Sequence, residues 1–90
     1  MTGVWRHAVE VAYVESEERV ALLDLDRLDE LPVVLTDSGA AIWLAVDGRR
    51  TDERIVSAVA EGFGAEVDQI AAQVRAFLQD LASRRLISRA

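Results

Sequence analysis

The side chains that could carry chemistry are few and widely spaced along the sequence. The five serines could act as nucleophiles only beside a general base, and the one histidine, His7, lies on a different predicted element. Asp24 and Asp26 share one face of a predicted strand, but no histidine or third acid is in register to complete a metal site. The segment Thr36-Asp37-Ser38-Gly39 is similar to an anion-binding helix start, yet it lacks the glycine spacing and lysine of a phosphate loop. The sequence therefore predicts no catalytic residue, no metal, no cofactor and no enzymatic activity.

Length and composition predict one small globular domain spanning residues 1–90. Hydrophobic residues make up 51% of the chain and charged residues 29%, which is typical of a folded domain. The absence of cysteine excludes disulfides, thiolate metal sites and cysteine nucleophiles. No apolar run reaches the roughly 18 residues of a membrane span, and the first residues lack a signal-peptide pattern. We expect a cytoplasmic protein that does not enter a membrane.

The charge is acidic and unevenly distributed. The net charge is −6 and there is no lysine, which disfavours general nucleic-acid binding and favours a basic partner. Residues 1–30 carry eight acids and three arginines, whereas residues 67–90 carry two acids and four arginines. Most of these charges are typical of a solvated surface.

Three strands are predicted in the first part of the chain. His7–Val14 alternates with a period of two, and Val20–Asp26 follows a polar turn, with Leu23 and Leu25 on the expected core face. Leu31–Leu35 is a short third strand. The order of strand, turn and strand indicates an antiparallel hairpin to which this third strand is added.

Three helices are predicted after the strands. The first begins near Thr36 as N-cap, the second begins at Thr51, and the third spans about 66–85. Gly39, in the first turn of the first helix, should cost about 1 kcal/mol of helix propensity, and Glu66 is a poor cap for the third. The third helix carries one apolar stripe: Val67, Ile70, Val74, Phe77 and Leu81.

This order predicts an α+β fold, a winged helix-turn-helix with an N-terminal three-stranded antiparallel sheet packed on three helices. A DNA-binding protein of this class would use the third helix for recognition, but Glu66 and Asp68 stand where phosphates would approach. The polar residues available to a major groove would be Gln69, Gln73, Arg75 and Gln79. A DNA-binding regulator is therefore the weaker hypothesis.

The third predicted strand raises the question of what occupies its edge. Pro32 cannot donate to a ladder and is tolerated only at the start of a strand or on an edge. An apolar edge strand with free backbone groups is an aggregation hazard unless it is covered or used. Addition of an extended peptide is one interpretation. The alternative is that Val33, Val34 and Leu35 simply pack on the helices, and patterning alone does not separate the two.

The order of several motifs resembles the PqqD-like family, whose domains are also called RiPP recognition elements. The matching features are Ala40–Trp43 in a capped helix, then Asp47–Thr51, then Phe77-Leu78, and finally Arg85–Ile87. The similarity covers about residues 7–88. Within the family, the chain most resembles the stand-alone leader-binding half of the split B protein of lasso-peptide biosynthesis.

The resemblance implies a non-catalytic adaptor that binds the leader of a ribosomally made precursor peptide. The leader would add as a strand to the third predicted strand and lie across the third helix. The implied peptide-binding residues are Val33, Val34, Leu35, Asp68, Ala71, Val74, Arg75 and Leu78.

The resemblance also implies partners. They would be the leader peptide, a transglutaminase-like cysteine protease that removes it, and an ATP-dependent lasso cyclase, with no nucleic acid and no membrane. Small Ala71 would leave room for a large leader side chain, and the acidic residues Asp26, Asp29 and Glu30 would attract a lysine-bearing leader. The alternative within the fold is a PqqD-type peptide chaperone for a radical enzyme in pyrroloquinoline quinone biosynthesis.

Overall fold

The computed structural model describes residues 3–17 and 19–89 and contains two small antiparallel sheets. One is a ribbon of two strands, one from each end of the chain, and the other has three strands in the order β2-β3-β4. The strands are β1 (Trp5–His7), β2 (Val11–Ser16), β3 (Arg19–Asp24), β4 (Val33–Thr36) and β5 (Ile87–Arg89), with β1 paired to β5.

Three helices occupy the part of the chain between β4 and β5, and none of those described is long and apolar enough to cross a membrane. They are α1 (Asp37–Ala45), α2 (Asp52–Phe63) and α3 (Val67–Ser83). The three-stranded sheet, the three helices and the β1–β5 ribbon as wing confirm the predicted α+β winged-helix class.

The helix boundaries follow local capping chemistry, and two of the predicted N-caps differ from the prediction. The Thr51 hydroxyl accepts a hydrogen bond from the Arg54 N–H at 3.4 Å, as predicted, and Gly64 ends α2 in the left-handed conformation at φ 63°. Glu66 is not a poor cap: its backbone N–H donates to the Gln69 side-chain oxygen at 3.2 Å. Thr36 is the N-cap of α1, but its hydroxyl makes no capping bond to the described part of the chain.

Two of the strand predictions were wrong in detail. The segment His7–Val14 is interrupted, because β1 ends at His7 and the chain turns before β2 starts. In β3 the core face carries Val20 and Leu22, which are fully buried, and not Leu23 and Leu25. Apolar residues occupy both faces of this strand, so period-two patterning could not decide which face turns inward.

Trp43 of α1 is the centre of the core. Its ring is fully buried and stacks on the His7 imidazole, with centroids 3.8 Å apart and planes 4° from parallel. Tyr13 of β2 meets the Trp43 ring edge-on at 5.6 Å. The His7 Nε2–H donates to the Trp43 backbone carbonyl at 2.8 Å. One aromatic cluster thus joins the β1–β5 ribbon, the three-stranded sheet and α1.

A second aromatic contact fixes the ribbon to α2. The Trp5 indole N–H donates to the Asp52 carboxylate at the start of that helix. Arg89 of β5 lies 4.2 Å from the Trp5 ring centroid and its guanidinium is 3.3 Å from the same carboxylate. Cation–π and ionic contacts therefore hold both strands of the ribbon to the N-terminal end of α2.

The His7 environment predicts a pH dependence of stability. Burial lowers the pKa of His7, and the hydrogen bond to Trp43 and the charge of Asp47 offset this only in part. Because the unfolded chain then binds the proton more readily, the free energy of unfolding should fall as pH drops through about 6.5 and level off below the native pKa. Urea unfolding between about pH 7.5 and 5.5 measures this slope.

A His7→Phe variant is the control for this prediction. It keeps an aromatic ring against Trp43 but cannot bind a proton, so its stability should be flat in the same pH range. Since His7 is the only histidine in the chain, no other imidazole contributes to the slope. Equal slopes in the two proteins would contradict the assignment.

Candidate functional site

The site begins with β4, which is an edge strand of the three-stranded sheet. Among the described strands it pairs only with β3, in the register Val20 to Leu35 and Leu22 to Val33. Leu35 is buried and Val33 is partly buried on the core face, whereas the Val34 side chain is 57% exposed on the opposite face. The strand therefore packs one face on the helices, as its composition requires, and its second edge has no neighbour among these strands.

The hydrogen-bond phase of the sheet identifies which backbone groups of β4 point to that edge. The Leu25 N–H donates to the Glu10 carbonyl at 2.7 Å, and this pair continues the register of β2 and β3. The backbone N–H and C=O of Leu25 therefore point toward β2. In an antiparallel sheet successive residues direct their N–H and C=O to alternate sides. The backbone N–H and C=O groups of Leu22 and Val20 consequently point toward β4.

The phase of β4 follows from this alternation. Val33 and Leu35, opposite Leu22 and Val20, use their backbone groups in the ladder with β3. Val34 directs both its N–H and C=O outward, and Thr36 directs its N–H outward. Among the residues that the structure describes, none forms a backbone hydrogen bond with Val34 on that side. Pro32, just before β4, alternates in the same direction as Val34, so its backbone nitrogen points away from β3. Its missing N–H therefore costs no hydrogen bond in the ladder with β3.

One flank of α3 lies beside β4 and the start of α1. The Phe77 ring packs directly on Gly39, two residues into α1, and a Cβ placed there would lie only 3.1 Å from the ring. At the other end of β4, Val33 and Arg84 line the same small pocket. Arg84 is the C-cap of α3 and follows Phe77 by seven residues, about two helical turns, so it continues the same flank. This flank forms the wall next to the open edge.

The close approach of the Phe77 ring explains why residue 39 is a glycine. From the sequence alone, Gly39 could be described only as lowering the helix propensity of α1. We expect Gly39→Val to destabilise the protein by about 1–3 kcal/mol, because the added methyl groups overlap the Phe77 ring. The matched control is Gly62→Val in α2, since no described atom outside that helix lies within 4 Å of its Cβ position. Chemical denaturation of both variants measures the difference.

A double variant separates ring contact from backbone effects. In a Phe77→Ala background, Gly39→Val should cost much less, giving a coupling energy of about 1 kcal/mol or more. An equal cost in both backgrounds would show that the ring does not set the requirement for glycine.

The structure does not bring all eight sequence-predicted residues together. Asp68, Ala71 and Arg75 lie on the flank of α3 that includes Ala82, and Ala82 contributes to a pocket with the β1–β5 ribbon. These three residues therefore do not line the wall beside β4. Helical spacing groups residues into flanks, but it does not tell which flank faces the sheet edge.

The remaining predicted residues divide between core and edge. Val74 and Leu78 are 2% and 1% exposed and belong to the hydrophobic core, where they support α3 from within. Val33, Val34 and Leu35 form β4. Contact with a peptide stays a prediction for all eight residues.

An apolar groove continues from the end of β4 along α3. It has a volume of about 340 Å³. Phe63 and Phe77 are the aromatic residues in its wall, and Phe63 is 54% exposed. The other lining residues are Ser38, Ile42, Val59, Ile70, Gln73 and Val74. Sequence analysis placed Phe77 in the core stripe, considered Gln73 only for contact with DNA, and did not select Phe63 or Arg84.

The pocket at the start of β4 combines an apolar floor with charged walls. Its volume is about 280 Å³, and Leu22, Val33 and Leu86 lie at its base. Arg27 reaches Asp24 at 4.0 Å and Glu30 at 3.7 Å, which leaves the surrounding charges partly balanced. These exposed ion pairs contribute little to stability but reduce the local field.

The carboxylate pair considered for a metal has a local structural role. Asp24 Oδ1 accepts a hydrogen bond from the Asp26 N–H at 2.9 Å, which forms a turn at the end of β3.

A family of known proteins shares this arrangement of strands and helices. The family model described as Coenzyme PQQ synthesis protein D (PqqD) matches residues 19–87, more than three quarters of the chain. This chain belongs to the PqqD family. The matched range contains β3, β4 and all three helices, so it includes the open edge and the flank of α3 beside it. The assignment confirms the resemblance seen in the sequence.

One known protein is similar to this PqqD-family chain in sequence, and one solved structure is similar to it in fold. The chain is 41% identical over 58 residues to the PqqA binding protein of Rhizobium meliloti (strain 1021), an alignment covering 64% of this chain and 59% of that protein. The aligned region thus spans less than two thirds of the relative's length. The structure of TbiB1 in complex with the TbiA(beta) leader peptide matches with a TM-score of 0.78 at 23% identity, covering 92% of this chain and 94% of TbiB1. That match shows a shared fold.

Proposed function

We propose that this protein binds the leader segment of a ribosomally made precursor peptide as an added strand on β4. The observation that carries the proposal is the phase of β4, in which the backbone groups of Val34 and the N–H of Thr36 point away from β3. An extended peptide can satisfy these groups, and its alternate side chains would then face α3. Membership of the PqqD family supports the proposal, as do the names of its relatives, one a PqqA binding protein and one a leader-peptide complex.

The wall contacts proposed here differ from those inferred by resemblance. Gln73 and Phe77 of α3, with Arg84 just after the helix, replace Asp68, Ala71 and Arg75 as the residues beside the peptide. They lie on the side of α3 that meets Gly39 and Val33. A peptide following β4 toward α1 would reach the apolar groove between Phe63 and Phe77. We therefore propose that a large apolar side chain of the peptide occupies this groove.

The proposed role is presentation, without catalysis by this domain. In lasso-peptide maturation the bound precursor would pass to a transglutaminase-like cysteine protease and then to an ATP-dependent cyclase. The second candidate is delivery of a precursor to a radical enzyme in pyrroloquinoline quinone biosynthesis. The 41% identity to a PqqA binding protein favours this second pathway specifically. Both pathways use the same peptide-binding step.

Titration with a labelled synthetic leader tests the binding step. The probe is the N-terminal part of a candidate precursor, chosen from the short open reading frames near this gene, and fluorescence anisotropy measures its Kd. The proposal predicts a Kd well below about 100 μM, the loose limit for a specific peptide contact. A scrambled peptide of equal composition is the control. Equal affinity for both peptides, or no binding by either, would reject the proposal.

The neighbouring enzyme genes separate the two pathways. A cysteine protease with an asparagine-synthetase-like cyclase would assign the protein to lasso-peptide maturation. A radical enzyme in their place would assign it to the quinone pathway.

A further inference from the structure

A pocket of about 390 Å³ lies between the β1–β5 ribbon, the turn that follows β1 and the C-terminal end of α3. We call it the ribbon pocket. Its polar and charged lining residues are Arg6, His7, Glu10, Arg85 and Ser88. Because burial lowers the pKa of His7, two guanidinium groups and one carboxylate are the charged groups of this lining at pH 7. The ribbon pocket is therefore locally basic in a chain whose net charge is −6.

The two arginines of the ribbon pocket have no ionic partner in the described part of the chain. Four other arginines each have a carboxylate oxygen within 4.0 Å. No described carboxylate lies within that distance of Arg6 or Arg85, and neither side chain donates a hydrogen bond to a described residue. A guanidinium presents its N–H donors in a planar arrangement that matches a carboxylate. Both arginines can therefore donate to a bound carboxylate.

Arg85 occupies a backbone position that favours glycine. It follows α3 in the left-handed conformation at φ 62°, and its N–H donates to the Ala82 carbonyl at 2.9 Å. The Leu86 N–H donates to the Leu81 carbonyl at 3.0 Å. These two hydrogen bonds form a Schellman motif, in which the left-handed residue is usually glycine. Because an arginine is less stable there than a glycine, a role for its guanidinium explains its presence.

A continuous groove joins the ribbon pocket to the open edge of β4. A middle pocket of about 310 Å³ shares Glu10 and Arg85 with the ribbon pocket. It shares Asp24, Arg27 and Arg84 with the pocket at the start of β4. Three arginines and three acids line the middle pocket, so its charges balance and the basic excess lies at the ribbon end. An extended chain that leaves the start of β4 can follow this groove around the end of α3.

The continuity of the groove indicates that its occupant is the precursor peptide itself. A peptide paired with β4 leaves that strand at both ends. Toward α1 it meets the apolar groove between Phe63 and Phe77, and at the other end it meets the pocket that Val33 and Arg84 line. From there the groove leads to the unpaired arginines, whose charge is complementary to an acidic side chain.

We propose that the ribbon pocket binds an acidic side chain of the precursor peptide through Arg6 and Arg85, in the segment that continues beyond the start of β4. This inference rests on the proposed peptide-binding function and adds a contact that helps to select the leader. Pairing with β4 uses backbone groups that nearly every peptide has, whereas a pair of arginines distinguishes a carboxylate from the corresponding amide.

The experiment uses the full chain and a synthetic leader that binds the natural protein. In the leader, each Asp is replaced in turn by Asn and each Glu by Gln, which removes the charge and keeps the size. In the protein, Arg6→Gln and Arg85→Gly remove one guanidinium each, and Arg85→Lys keeps the charge. Arg54→Gln is the matched control, because Arg54 is exposed on α2, has no described carboxylate within 4.0 Å and lines none of the three pockets. Fluorescence anisotropy measures Kd, and urea unfolding measures stability.

We expect Arg6→Gln and Arg85→Gly each to weaken leader binding by about three- to tenfold, while Arg54→Gln changes the Kd by less than about twofold. One amide substitution in the leader should cause a similar loss with the natural protein and almost none with Arg85→Gly, because both changes remove the same contact. Arg85→Lys should keep most of the affinity. The urea midpoint of Arg85→Gly should equal or exceed that of the natural protein, so weaker binding cannot be attributed to unfolding.

Three results would overturn this proposal while leaving the proposed function in place. They are unchanged leader affinity in either Arg6→Gln or Arg85→Gly, an equal loss in Arg54→Gln, and amide substitutions whose effects are the same in the natural protein and in Arg85→Gly. Failure of the natural protein to bind any leader more tightly than its scrambled control would instead overturn the proposed function.

Discussion

Val34→Pro should weaken leader binding by about 10- to 100-fold while the protein stays folded. Proline removes the outward N–H of Val34, leaving a peptide carbonyl without its donor, which costs about 1–3 kcal/mol. The ladder with β3 loses nothing, because the Val34 backbone groups do not face β3. Proline is tolerated on a strand edge in this orientation. Anisotropy titration and urea unfolding measure the two effects.

Two further variants show whether backbone or side chain is responsible. Val34→Ala keeps the N–H and should bind the leader within a few-fold of the natural protein. Leu35→Pro removes an inward N–H from the ladder and a buried side chain, so it should destabilise the fold by about 3 kcal/mol or more. If Val34→Pro instead binds the leader normally, strand addition at this position is ruled out.

Trp43→Ala should have the largest effect on stability of any single change in the core. The Trp43 side chain is fully buried and stacks on His7 while it meets Tyr13, so its removal leaves a large cavity between three elements. The expected loss is about 3–5 kcal/mol. A domain of this size has a total stability near the low end of about 5–15 kcal/mol. Urea unfolding followed by circular dichroism should therefore show a variant that is partly unfolded before denaturant is added.

Trp43→Phe provides the comparison for this loss. It keeps a ring against His7 and removes an indole N–H that has no hydrogen-bond partner among the described residues. The orphaned N–H already has a cost in the native protein, so its deletion offsets part of the lost packing. We expect less than half the destabilisation of Trp43→Ala. Equal losses in the two variants would show that the size of the cavity does not determine the loss of stability.

The helical half of the fold was predictable because its signals are local. Thr51 with an acidic first turn, and the apolar stripe of α3, specify helices through contacts within a few residues. The edge position of β4 could also be predicted from the sequence. Pro32 disfavours a central strand, and so does the position of β4 after the β2–β3 hairpin. These features depend on backbone chemistry that the sequence displays directly.

The details that sequence analysis missed depend on packing between distant residues. Val20 and Leu22 alternate with Ala21 and Leu23, so both faces of β3 are apolar and only the tertiary fold selects the inner one. Gly39 indicated only a weaker helix until Phe77 was seen against it. The same limitation applies to α3, because the sequence does not tell which of its flanks lies beside β4. Spacing groups residues by face, but the direction of each face is fixed by the sheet it meets.

Residue-resolved amide hydrogen exchange, with and without saturating leader peptide, shows whether the leader occupies the open edge of β4. In the free protein the amides of Val33 and Leu35 should be protected by β3, while those of Val34 and Thr36 exchange rapidly. Added leader should slow the exchange of Val34 and Thr36 selectively. If the leader binds and these two amides still exchange at their free rates, the peptide does not add to β4 and the proposed binding mode is wrong.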